Sequence, residues 1–149
     1  MTQPLSITFR DKLVQVIKEI GPFPGVSTGE VVARDRPSDW KDFAYRGISV
    51  IIDGETEAPG TVNKDDHGYR YLVVLSAGTS KGSAGGTTDW VHETRATIRD
   101  RFNNKRISEI PQCMICSAAP GETMSRRPWE DAKAVSVLVI TCWAREIRP

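Results

Sequence analysis

Residues Ala134 to Arg145 read AVSVLVITCWAR, and this stretch decides the fold. Val135, Val137, Val139, Thr141 and Trp143 share one parity, and Leu138, Ile140 and Cys142 share the other. A period of two, rich in β-branched residues, marks a β-strand. Because both of its faces are apolar, the strand belongs in the centre of a sheet.

Two further strands lie upstream. In Tyr69 to Ala77 (YRYLVVLSA), Tyr69, Tyr71, Val73 and Leu75 share a face, with Leu72 and Val74 opposite. In Gly47 to Asp53 (GISVIID), Ile48, Val50 and Ile52 share a face and Ile51 adds bulk to the other. These two are expected to pair as an antiparallel hairpin. Their connection, Gly54 to Gly68, is polar, acidic at first, and carries Pro59-Gly60. It is longer than ordinary hairpin loops and reads as a projecting arm. GEVVAR (29–34) reads as a short strand and IPQCMICS (110–117) as another, which Pro111 pushes to a sheet edge. Residues 36–45 read as an irregular bend around Pro37.

Two helices complete the reading. Phe9, Leu13, Val16, Ile17 and Ile20 form an i, i+4, i+7, i+8, i+11 stripe, which predicts a helix over 8–20 capped by Thr8 and stopped at Gly21-Pro22. A second helix is expected over 89–103, capped by Thr88 and ended by Asn103-Asn104. Its stripe is Val91, Ile98 and Phe102, with Thr94 or Arg95 at the intermediate turn. The order predicts one α+β domain over 1–149, a mainly antiparallel β-sheet with two α-helices packed on one face.

Composition excludes several classes. At 149 residues with 39% hydrophobic and 26% charged residues, the chain is long enough for a core without disulfides or metals. A net charge of +1 provides no global pull toward nucleic acid or membrane. No apolar run reaches the roughly 20 residues of a membrane span, and the N-terminus lacks the pattern of a signal peptide. Three cysteines, an odd number, fit a reducing compartment such as a cytoplasm.

The motifs of catalysis are incomplete. Cys113 and Cys116 form C-x-x-C but have only Cys142 as a further thiol, and residues three apart on a strand are expected to face opposite ways. They read as small core residues without a functional role. His67, beside Asp65 and Asp66, and His92, on the second helix, have no assignable nucleophile or orienting partner. Gly78 to Thr88 (GTSKGSAGGTT) follows a strand and precedes a helix, yet Lys81 precedes its glycine, so the phosphate-loop spacing is missing. It reads as a loop able to order against a partner. No catalytic residue, cofactor or metal site is expected, and an assembly protein is the better reading than an enzyme.

Charge and tryptophan provide candidate contacts instead. Arg95, Arg99 and Arg101, with Lys105 and Arg106, make the second helix and its exit basic. The arm is acidic, through Asp53, Glu55, Glu57, Asp65 and Asp66. Opposite patches on one small domain suit head-to-tail packing of identical subunits, with charge fixing register. Trp90, in the helix's first turn, and Trp129, in MSRRPWED, read as interface anchors, and Lys81 as a loop contact.

The helix FRDKLVQVIKEI, the strands GISVIIDGE and GYRYLVVLSA, the helix DWVHETRATIRDRFNNKR and the strand AVSVLVITCWARE, in that order, resemble the tail terminator and related neck (head–tail completion) proteins of long-tailed bacteriophages. The resemblance covers most of the chain and lies in its layout. It implies a small subunit of a ring, usually a hexamer, that caps the tail tube and joins it to the head. The implied partners are identical subunits in a head-to-tail ring, the tail tube protein and head–tail connector proteins, with transient contact to DNA in a lumen and no membrane. The implied location is the tail or neck of the virion, after assembly in the host cytoplasm. Two other classes stay open: a small anion- or nucleotide-binding enzyme using the Gly78–Thr88 loop, and a nucleic-acid-binding module using the basic second helix.

Overall fold

Phe9, Leu13, Val16 and Ile17, all buried, line one stripe of a helix that starts earlier than its polar residues suggest: α1 spans Leu5–Ile20. Pro4 precedes it, and Thr8 lies inside, its hydroxyl donating to the Pro4 carbonyl at 3.2 Å. The expected cap at Thr8 is therefore displaced by one turn, because proline is well suited to a helix start. The computed structural model describes residues 3–21, 31–33, 46–59, 64–78, 84–121 and 133–147. The irregular 36–45 segment and Trp40 lie outside them.

After α1 come β1 (Val31–Ala33), β2 (Arg46–Pro59), β3 (Lys64–Gly78), α2 (Ala84–Phe102), β4 (Cys113–Pro120) and β5 (Lys133–Ile147). The strands form a five-stranded sheet in the order β1-β2-β3-β5-β4. Only the β1–β2 pair is parallel; the others are antiparallel. The fold is α+β, and β5 lies between β3 and β4, as its two apolar faces require. β4 is an edge strand, in keeping with Pro111 just before it.

Both helices bury their stripes against the same sheet face. One core cluster joins Phe9, Leu13 and Ile17 of α1, Trp90, Val91, Ile98 and Phe102 of α2, and Tyr71, Val73, Leu75, Leu138 and Ile140 of the sheet. Tyr71, fully buried, ties α1 down: its hydroxyl donates to the Ser6 carbonyl at 2.6 Å. Burial pushes the Tyr71 phenol well above its ordinary range, so it stays a donor at every physiological pH. A smaller cluster of Ile51, Val74 and Val135 lies on the opposite face, with Leu72 and Val137 against it.

α2 begins at Ala84 and so absorbs Gly85, Gly86 and Thr88, which places Thr88 inside the helix and not at its cap. At the other end Asn104 takes a left-handed φ of 58°, a helix stop that asparagine tolerates. The asparagines then cap the edge of β4. The Asn104 amide donates to the Cys116 carbonyl at 2.9 Å, and Asn103 Oδ1 accepts from the Ala118 amide at 3.1 Å. Covering an edge in this way blocks unwanted strand pairing.

Across β3 and β5, Gly68 pairs with Trp143, whose indole lies over it. A Cβ at Gly68 would meet ring atoms of Trp143 at 3.0–3.1 Å. Gly68→Ala is therefore expected to tilt the indole and cost about 1 kcal/mol, seen as a lower denaturation midpoint together with a changed near-ultraviolet tryptophan signal.

Candidate assembly surface

The polar segment expected to be a long loop is mostly strand. β2 continues through Glu55, Glu57 and Pro59, and β3 begins at Lys64, so that Glu57 pairs with His67 and Pro59 with Asp65. β5 follows on the far side of β3, with Asp66 opposite Arg145 and Lys64 opposite Ile147. The arm is thus a three-stranded ribbon. On β2 its side chains carry no apolar alternation; the backbone ladder and cross-strand pairs to β3 hold that strand, while Tyr69 and Ala144 tie the base of the ribbon to the core.

On β2 the two core clusters end at Val50 and Ile51, but on β3 and β5 the helix-covered cluster reaches Tyr69 and Ala144, so the ribbon outruns the core at Ala58–Pro59, Lys64–Asp66 and Arg145–Ile147. At strand rise that is roughly 10 Å of ribbon beyond the last core residue. A bulge between Ile52 and Gly54 adds twist at its base. Ile52, just past the core, is 41% exposed.

The charges of the arm find partners within the chain. Asp53 accepts from Arg70 Nε at 2.7 Å, and Asp66 accepts from Arg145 Nε at 2.8 Å and from its Nη2 at 3.2 Å. Glu55 lies 3.3 Å from His67 Nδ1, and His67 stacks on Tyr69. The expected acidic surface is therefore corrected: arginines at 70 and 145, read as parts of apolar strands, offset part of it. Exposed pairs of this kind contribute little to stability but hold the strands in register.

The hydrogen bond and charge of Arg145 hold the Asp66 carboxyl below its usual range. A depressed folded-state value stabilises the fold above the unfolded aspartate value of about 3.9, and this is lost as pH falls through the folded value. The melting temperature of wild type is thus expected to exceed that of Asp66→Asn at neutral pH. The gap should close on acidification below about pH 4, as checked by parallel thermal melts.

Two of the expected helix contacts are core residues. Trp90 is 3% exposed and belongs to the main cluster, so it does not anchor an interface on this surface. Arg95 is 9% exposed, and its guanidinium donates to Ser136 Oγ at 2.8 Å and to the Val137 carbonyl. Burial, with Arg99 nearby, pushes its pKa down. It ties α2 to β5 and leaves the basic patch. Thr94 and Arg95 together fill the gap in the Val91–Ile98 stripe, which was the signal for their burial.

Arg99 and Arg101 remain outward. Arg99 Nε lies 3.6 Å from Asp100, and the Arg101 guanidinium sits 5.7 Å over the Phe102 ring. His92 is exposed on α2. Lys81 and Trp129 lie outside the described residues, as do the side chains of Glu57 and Asp65. Among the described residues, the surface that unites the expected contacts is the arm, with Glu55, Asp66, Arg70 and Arg145 on it.

The cysteines depart from expectation. A bulge between Cys113 and Ile115 shifts the parity of β4, so Cys113 and Cys116 share the helix-covered face. Cys116 Sγ lies 3.9 Å from Cys113 Sγ and 3.5 Å from Cys142 Sγ, with all three thiols buried. Among the described residues no group of three or more His, Cys, Asp or Glu side chains is arranged to hold a metal ion, and no helix is long and apolar enough to cross a membrane. No family model matches the chain, and no curated protein matches it significantly.

Proposed function

We propose that this chain is a ring-forming virion assembly subunit, a tail terminator or neck protein that caps the tail tube and joins it to the head. The observation that carries this reading is the ribbon of β2, β3 and β5, whose far end continues past the last residues of the helix-covered core, Tyr69 and Ala144. A stiff, polar, ion-paired arm on a small α+β body can reach a neighbouring copy while its own body is held by another. Such head-to-tail contacts close into a ring when the rotation permits.

The electrostatic part of this proposal is narrower than charge patterning suggests. With Asp53 and Asp66 already paired, the unshared charges among described side chains are fewer, and shape and backbone register carry more of the contact. Arg99 and Arg101 on α2 remain available to an acidic neighbour.

Negatively stained protein at micromolar concentration is expected to show closed rings of uniform diameter, and those rings should cap purified tail tubes at one end. Single particles with no ring at any concentration would count against the proposal. Steeply salt-dependent binding of the isolated subunit to DNA would favour the nucleic-acid module instead.

A further inference from the structure

The row of thiols has a geometry that three unrelated core residues do not require. Cys116 and Cys142 are direct cross-strand partners on β4 and β5. The Cys116 amide donates to the Lys105 carbonyl at 2.7 Å and its carbonyl accepts from the Asn104 amide at 2.9 Å. In an antiparallel ladder a residue's amide and carbonyl point to the same side, here away from β5. Cys116 and Cys142 are therefore a non-hydrogen-bonded pair, the closer kind, with Cα atoms about 4.5 Å apart. That lies within the span a disulfide bridges. Their sulfurs, at 3.5 Å, need only side-chain rotation to bond. Cys113 is placed differently. It lies on the same strand as Cys116, across the bulge, with its sulfur farther off at 3.9 Å and no cross-strand pairing that sets the two backbones at a disulfide's span.

We propose that Cys116 and Cys142 are an oxidisable pair, a latent cross-strand disulfide that fastens edge strand β4 to β5. The oxidant is a small neutral two-electron acceptor such as hydrogen peroxide or a diazene. Both S–H bonds break and one S–S bond forms, and the two electrons and two protons reduce peroxide to two waters. The thiols are slow to react while the edge is closed. The bond with Cys113 pulls the Cys116 pKa down, but the bond with Cys142 and burial outweigh it and keep the thiol protonated at neutral pH. The bond with Cys116 and burial do the same for Cys113. Oxidation therefore follows opening of the β4 edge, where Asn103, Asn104 and Lys105 hold it, and it speeds up as pH rises.

The test is to treat the native protein with diamide, quench with an alkylating agent under denaturing conditions, and map the linked peptides. The expected product is intramolecular, has lost two hydrogens, and links Cys116 to Cys142 in both wild type and Cys113→Ser. Its melting temperature should rise by about 5–10 °C and fall back on reduction. Cys142→Ala should give no such product. Three thiols still free under conditions that fully oxidise the unfolded chain would overturn the proposal. So would a first linkage through Cys113, or a linked product that melts no higher than the reduced protein.

Discussion

Replacing Phe9 by alanine is expected to destabilise the fold by about 3–5 kcal/mol, the largest effect of any single substitution considered. Phe9 is fully buried, its ring centroid lies 5.8 Å from that of Tyr69, and it sits where α1 meets the base of the arm. Alanine would leave a cavity between helix and sheet that neither can collapse to fill. It would also loosen the first turns of α1, whose other tie to the sheet there is the hydrogen bond from Tyr71 to Ser6. Since small domains are stable by only about 5–15 kcal/mol, the melting temperature should drop by about 10 °C or more. Gln15→Ala, on the exposed face of the same helix, should shift it by a degree or two at most. Thermal and denaturant melts of the two variants check this.

The second large effect is on assembly. Thr56 and Gly68 face each other across β2 and β3, so an Asn-Gly turn can join them directly and remove residues 57–67. The core residues of β2 and β3 lie outside the deletion; on β5 the core residue Ala144, opposite His67, loses its β3 partner, and the residues after it should fray. If the arm makes the contact between subunits, the shortened protein should be a folded monomer. Its association should weaken on the order of a hundredfold or more, the effect of losing an interface's main contacts. Circular dichroism reports the retained fold, and mass photometry the lost assembly.

Much of the body was legible because its elements bury regular stripes. AVSVLVITCWAR declared a central strand, and the 3.6-residue stripe of α1 named all four of its buried side chains. Where pattern failed, a different force was at work. The arm lacks apolar alternation in β2 and early β3, where only its β5 side and Tyr69 reach the core, so Glu55 to Pro59 and Lys64 to Gly68 read as loop. α2 starts on Ala84 although Gly85 and Gly86 disfavour a helix by about 1 kcal/mol each, which no local rule predicts. The cysteines were expected on opposite faces, and one bulged residue at Met114 reversed that parity. Arg95 and Trp90 have the residue types of surface contacts, but their helical positions beside Val91 and Ile98 turn them inward.

The charge expected on the arm is what its register changes. Sequence separation hid the pairing of Asp66 with Arg145, which the register of β3 and β5 makes direct neighbours. What carries over is the arm itself, now a ribbon of three strands and not a loose loop.

Sedimentation velocity at physiological salt, over a concentration series reaching high protein concentration, tests the central claim most directly. A ring-forming subunit gives a single large species of fixed mass, a small multiple of the 16.5 kDa chain, and the arm-shortened protein gives only monomer. A wild-type chain that sediments as a monomer throughout would contradict the account.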